Sequence, residues 1–160
     1  MKRILLVLGA MALVGFIDTT APPAGSDPAS ETFAASLGVN IPQMTKTANG
    51  TFFKDVTVGT GTALTAPPAT ANTLVAFQYS GFLKTGVLFD SGTVTLANGV
   101  ALGGLIGGFT DGILGMNVGG DRLIVIPSDN AYGNSTQQTS FTTIPPNSTL
   151  IFRVKLTAMQ

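Results

Sequence analysis

The stretch "LVAFQYSGFLKTGVLFDSG", Leu74 to Gly92, holds two extended segments and the turn that joins them. Val75, Phe77 and Tyr79 fall on one face at period two, the pattern of a strand with one side on a core. "KTG" supplies the turn. "VLFD" then resumes the apolar run and ends on Asp90, directly behind Phe89. The chain is only 10% charged, so an aspartate at the edge of a core needs a reason.

Outward from this hairpin the chain continues as strands and turns. "TFFKDVTVG" (51–59) and "RLIVIP" (122–127) read as strands, and "GTGTALTAPPATANT" (59–73) as a loop or hairpin connection. In "STLIFRVKLTAM" (148–159), Leu150, Phe152, Val154 and Leu156 alternate with Ile151, Arg153, Lys155 and Thr157. That alternation predicts a sheet with one face on a core and the other toward solvent. The single helix candidate is "GGFTDGILGM" (107–116), where Phe109, Ile113 and Met116 stand at i, i+4 and i+7 as one buried stripe. One helix against an antiparallel sheet is an α+β domain, predicted over residues 50–160.

The N-terminus is organised differently. Lys2 and Arg3 precede an apolar run from Ile4 to Ile17, and small or polar residues follow. This is the build of a secretory signal peptide, expected over residues 1–21 with cleavage after Ala21. The run is short for a membrane span of roughly 20 residues. "LVGF" (13–16) is like a bacterial lipoprotein signal, but Phe16 stands where the lipidated cysteine belongs. The expected location is therefore outside the bacterial cytoplasm, periplasmic, or secreted to the cell surface or the extracellular medium. Residues 22–49 read as a Pro/Ala/Ser-rich flexible tether and docking segment. Within it a short helix over Phe33 to Leu37 stops at Gly38. Deletion up to about Thr45 is expected to leave the domain intact.

Composition removes whole classes of chemistry. With no His and no Cys, imidazole acid/base catalysis, thiol nucleophiles and the usual zinc or haem ligands are absent. The expectation is no cofactor and no metal. Eight basic and eight acidic residues give a net charge of zero, which provides no field for nucleic acid. Ser80 and Ser91 lack a nucleophile elbow and a base. "GVALGGLIGG" (99–108) lacks the Lys-Ser/Thr pair of a phosphate loop, so its glycines are better read as sites of close backbone packing. Asp90 is a candidate general base without an acid partner, or a residue that pins the loop after Phe89. Asp111 reads as a solvated or capping residue.

Three motifs together are more specific. "FQYSGFL…GVLFDSG", "GLIGGFTDGILGMNVGGDRLIVIPSDNAYGN" and "IPPNSTLIFRVKL" resemble, in order, spacing and turn chemistry, the FKBP family of peptidyl-prolyl cis/trans isomerases. The likeness covers Thr51 to Leu156. It implies an antiparallel sheet wrapped around one short helix, with a ligand pocket between them. By motif, Tyr79, Phe89, Leu105, Phe109, Ile144 and Phe152 would line that pocket, and Phe141 would fold back to complete it. The resemblance implies catalytic roles for Asp90, Tyr132 and Ile106. Phe109 would be the floor for the proline ring, where most relatives carry tryptophan. Ile106 would offer its backbone N–H and Tyr132 its hydroxyl to substrate carbonyls, while Asp90 would accept a hydrogen bond from Tyr79. Either Val94 or Leu96 would supply a further apolar wall.

The implied partners are proline-containing polypeptides and immunophilin macrolides, bound by a monomer. A binding module of the same fold without turnover, acting as a chaperone, is the alternative. A purely structural or adhesive domain would leave Tyr79, Asp90 and Tyr132 without a shared role.

Overall fold

The computed structural model describes residues 25–65, 74–96 and 105–159. The signal-peptide reading, residues 66–73 of the connecting loop and residues 97–104 of the glycine-rich stretch lie outside these. Six strands form one antiparallel sheet: β1 (Thr45–Lys46), β2 (Phe52–Thr57), β3 (Val75–Leu83), β4 (Leu88–Leu96), β5 (Asp121–Ile126) and β8 (Leu150–Met159). Their spatial order is β1-β2-β5-β8-β3-β4. β6 (Gln137–Gln138) and β7 (Thr143–Ile144) make a separate small hairpin, and α1 (Gly107–Ile113) is the α-helix. This is the α+β arrangement expected.

The inner face of the sheet and the helix close one core. Phe77, Phe89, Leu96, Phe109, Ile113, Met116, Ile124, Ile126, Phe152, Val154 and Leu156 are all buried in it. The predicted stripe of Phe109, Ile113 and Met116 is thus inside, although the helix itself ends at Ile113 and Gly115 turns the chain with a φ of 77°. The strand after the hairpin is longer than "VLFD". Thr93 and Thr95 are β-branched, and Val94 and Leu96 fall two apart, so β4 pairs with β3 as far as Val75↔Leu96.

Two glycines set how close the helix lies. A Cβ on Gly108 would run into Ile126, and one on Gly112 into Ile124, so α1 rests its backbone directly on β5. For Gly108 this is the close packing read from the sequence.

The outer face of the sheet differs from expectation. Ile151, expected toward solvent, is fully buried, as is Val125, and Phe52 and Leu123 are buried beside them. Phe33, Leu37, Val39, Ile41 and Met44 pack on them. From Gly25 onward the segment read as tether and docking region is docked along its length. Ser26 and Ser128 exchange hydrogen bonds, each backbone N–H donating to the other's hydroxyl at 2.9 and 2.8 Å. Thr149 donates to Glu31 at 2.8 Å, Lys84 lies 3.3 Å from the same carboxylate, and Ala34 N–H donates to the Lys84 carbonyl at 2.8 Å. The expected helix is a single 3-10 turn, Ala35–Leu37, ended by Gly38 in the left-handed region at φ 66°.

Candidate functional site

Between α1 and the sheet lies a cavity of about 210 Å³, lined by Phe77, Tyr79, Phe89, Asp90, Val94, Leu105, Ile106, Phe109, Tyr132 and Phe152. Each element contributes for a local reason. β3 presents Phe77 and Tyr79 inward at period two, β4 presents Phe89 and Val94, and β8 presents Phe152. The turn Ser128–Asn130 after Pro127 redirects the chain so that Tyr132 reaches the rim.

The walls are rings set edge to face. Phe109 meets Phe152 at 5.0 Å and 84°, and Phe89 meets Phe152 at 5.4 Å and 88°. Tyr79 stands over Phe109 at 6.2 Å and 80°. Such pairs favour this geometry because the positive ring edge meets the negative face. Gly81 makes room for them, since a Cβ there would strike both Phe89 and Phe152.

One polar pair breaks the apolar lining. Tyr79 donates its hydroxyl to Asp90 Oδ2 at 2.8 Å. Burial, then the hydrogen bond to Asp90, then the charges of Asp90 and Tyr132, push the Tyr79 phenol up to about 12. Burial and the Asp90 charge raise Tyr132 as well. Both phenols therefore stay protonated as donors through the neutral range.

The structure brings Tyr79, Phe89, Asp90, Leu105, Ile106, Phe109, Tyr132 and Phe152 together, and Val94 rather than Leu96 supplies the extra wall. Two expected lining residues are elsewhere. Phe141 does not fold back: it is 56% exposed at the tip of the β6–β7 hairpin. There Thr139 closes the turn, its hydroxyl donating to the Thr142 carbonyl at 2.7 Å and accepting from the N–H groups of Phe141 and Thr142. Ile144 is buried in the core instead of facing the cavity. Phe77 was the lining residue not foreseen, and its signal was present two positions before Tyr79 on the same face. Asp111 accepts from Thr47 at 3.1 Å and Asn49 at 2.9 Å, which ties the loop before β2 to the helix. Among the described residues no three His, Cys, Asp or Glu side chains converge as a metal site would need.

A family profile described as FKBP-type peptidyl-prolyl cis-trans isomerase matches residues 66–157. The chain belongs to this family. A peptidyl-prolyl cis-trans isomerase of Saccharomyces cerevisiae is 38% identical over 113 residues, covering 69% of this chain and 25% of the relative. The chain thus spans about a quarter of that relative's length. Among solved structures, FkpA from Escherichia coli shares 30% identity at a TM-score of 0.59, covering 73% of this chain and 51% of its own. A peptidyl-prolyl cis-trans isomerase from Pseudomonas syringae pv. tomato shares 28% identity at 0.60, covering 79% and 86%. The antiparallel sheet around one short helix is the fold of these FKBP-type relatives.

Proposed function

We propose that the protein is a peptidyl-prolyl cis/trans isomerase acting on X-Pro bonds of polypeptides through the aromatic cavity. Partial double-bond character sets a rotation barrier of roughly 18 to 20 kcal/mol, and uncatalysed exchange takes tens to hundreds of seconds, roughly. Lowering it requires no nucleophile. Transfer of the amide out of water removes hydrogen bonds that favour the planar, charge-separated form, and a shaped pocket holds the twisted form better. Each tenfold gain in rate needs only about 1.4 kcal/mol of that preference. Phe109 is the floor under the proline ring, Ile106 N–H and the Tyr132 hydroxyl hold substrate carbonyls, and Asp90 presents a polar edge to the turning amide.

The observation that carries this reading is the Tyr79–Asp90 hydrogen bond at 2.8 Å on the wall of a cavity lined mainly by aromatic and aliphatic side chains. It gives the Asp90 carboxylate a donor beside the apolar floor and holds its polar edge toward the cavity. The test is exchange of a Phe-Pro or Leu-Pro peptide followed by NMR, with and without the protein. Faster cis/trans exchange is expected, and an immunophilin macrolide in the cavity should suppress it. Binding without faster exchange would instead support a peptide-binding chaperone module. Failure to bind either probe would remove the site.

Export from a bacterial cytoplasm is part of the same reading, supported by the basic-then-apolar N-terminus. Mass spectrometry of the mature protein checks it. Recovery of an intact Met1 from the cytoplasm would overturn it.

A further inference from the structure

Helix α1 carries the cavity floor, yet its own sequence does little to hold it. Gly107, Gly108 and Gly112 stand among its seven residues, and glycine is among the weakest helix formers. No side chain caps it at Ile106, and no basic residue stands in its last turn. An isolated helix of this length is not stable in water. Nor can better helix formers replace Gly108 and Gly112, because their side chains would collide with Ile126 and Ile124. The helix must be fixed from outside.

Arg122 on β5 does this. It is only 3% exposed, and its Nη1 donates to the carbonyls of Gly112 at 3.0 Å and Leu114 at 2.8 Å. These are acceptors that the end of a helix leaves unsatisfied, and a cation there also matches the helix dipole. The other side of the guanidinium is locked. Nε and Nη2 fork onto the two Asp55 oxygens at 2.7 and 3.1 Å, and the cation lies 4.2 Å from the Phe53 ring centre. One planar group therefore ties β2, β5 and the end of α1 into a fixed relation.

We propose that Arg122, oriented by Asp55, is a positioning residue for the isomerase site: it sets where α1 holds Phe109 and Ile106 relative to the Tyr79–Asp90 pair on β3 and β4. This rests on the isomerase reading above. The planar fork is essential to the role, because a lysine ammonium cannot hold a bidentate carboxylate and two helix carbonyls in one plane. Since the floor and the Ile106 N–H are assigned to the twisted amide, their misplacement is expected in kcat more than in KM.

The variants are Arg122→Lys, Asp55→Asn and, as a control of matched instability, Leu123→Ala, which lies in the outer-face cluster away from the cavity. Each is first shown by denaturant titration to be fully folded under assay conditions. Arg122→Lys should lower kcat by about tenfold or more, as displaced positioning groups do, with KM within about twofold; Asp55→Asn should show the same split to a smaller extent. If Arg122→Lys fails to fold, Asp55→Asn carries the test, since it leaves both helix carbonyl bonds in place. Ring resonances of Phe109 and Tyr79 should shift in both variants and stay in Leu123→Ala. That readout needs no turnover, so an inactive wild type would remove the isomerase reading while the positioning claim is still decided by the rings. Unmoved rings with wild-type kcat, or an equal loss of kcat in Leu123→Ala, would overturn the inference.

Discussion

Tyr79 pairs in register with Gly92, while Gly81 pairs with Asp90, so the Tyr79 hydroxyl reaches Asp90 diagonally across the two strands. Diagonal neighbours on one face are within reach of an aromatic side chain. Among the described residues Tyr132 has no comparable tie, and it is 36% exposed at the rim. Tyr132→Phe should therefore leave the melting temperature unchanged and weaken macrolide binding by about 0.5 to 1.5 kcal/mol, the net worth of one hydrogen bond. Calorimetric titration beside a thermal melt separates the two, and unchanged affinity would take Tyr132 out of the site. Phe109 is the opposite case, since it is 4% exposed and touches Phe77, Tyr79 and Phe152. Phe109→Ala should abolish binding and also cost about 3 to 5 kcal/mol of stability, measured by denaturant unfolding. A variant that binds normally would show that the floor is elsewhere.

At the scale of elements, the N-terminal arm and the hairpin tips distinguish local from distant information. The alternation of β8 located the core-facing residues, because a strand's inward face is written in its own sequence at period two. Burial of Ile151 was not legible there. What covers the outer face is a segment more distant in the chain, and only the tertiary structure brings Phe33, Leu37, Val39, Ile41 and Met44 onto it. The same holds for Arg122, whose strand is legible but whose partners are not: the fold buries it against Asp55 and the helix end. Phe141 failed for a nearer reason, since the Thr139 turn that holds it outward depends on one hydroxyl and not on hydrophobic pattern. Removal of residues 1–44 would uncover Phe52, Leu123, Val125 and Ile151 together. At about 1.5 to 3 kcal/mol for each large apolar side chain fully exposed, a loss of several kcal/mol is expected, against the first expectation that the domain would be indifferent. Urea unfolding of the truncated and full chains decides between them, and matching midpoints would mean that the arm adds nothing.

For the whole molecule, the absence of histidine and cysteine fixes how the protein should respond to pH. A mechanism of desolvation and shape asks no group to change charge near neutrality. The two phenols of the site are both raised, Tyr79 to about 12, so neither ionises until the solution is strongly alkaline. Isomerase efficiency should be flat from about pH 6 to 9, the interval below the ordinary tyrosine value of roughly 10, and chelators should not alter it. Stability has a definite sign at the alkaline end. A folded-state value above the unfolded one means that the native protein holds the proton more tightly. The Tyr79 contribution is therefore fully present below about pH 10 and is lost as the pH rises toward about 12. Urea midpoints should hold below that window and fall within it, and Tyr79→Phe should reduce the fall. The decisive experiment is a pH series of peptide exchange on wild type and Asp90→Asn. A bell-shaped profile centred near neutrality, present in wild type and lost in Asp90→Asn, would show that Asp90 transfers a proton and would replace the twisted-amide mechanism with acid–base catalysis.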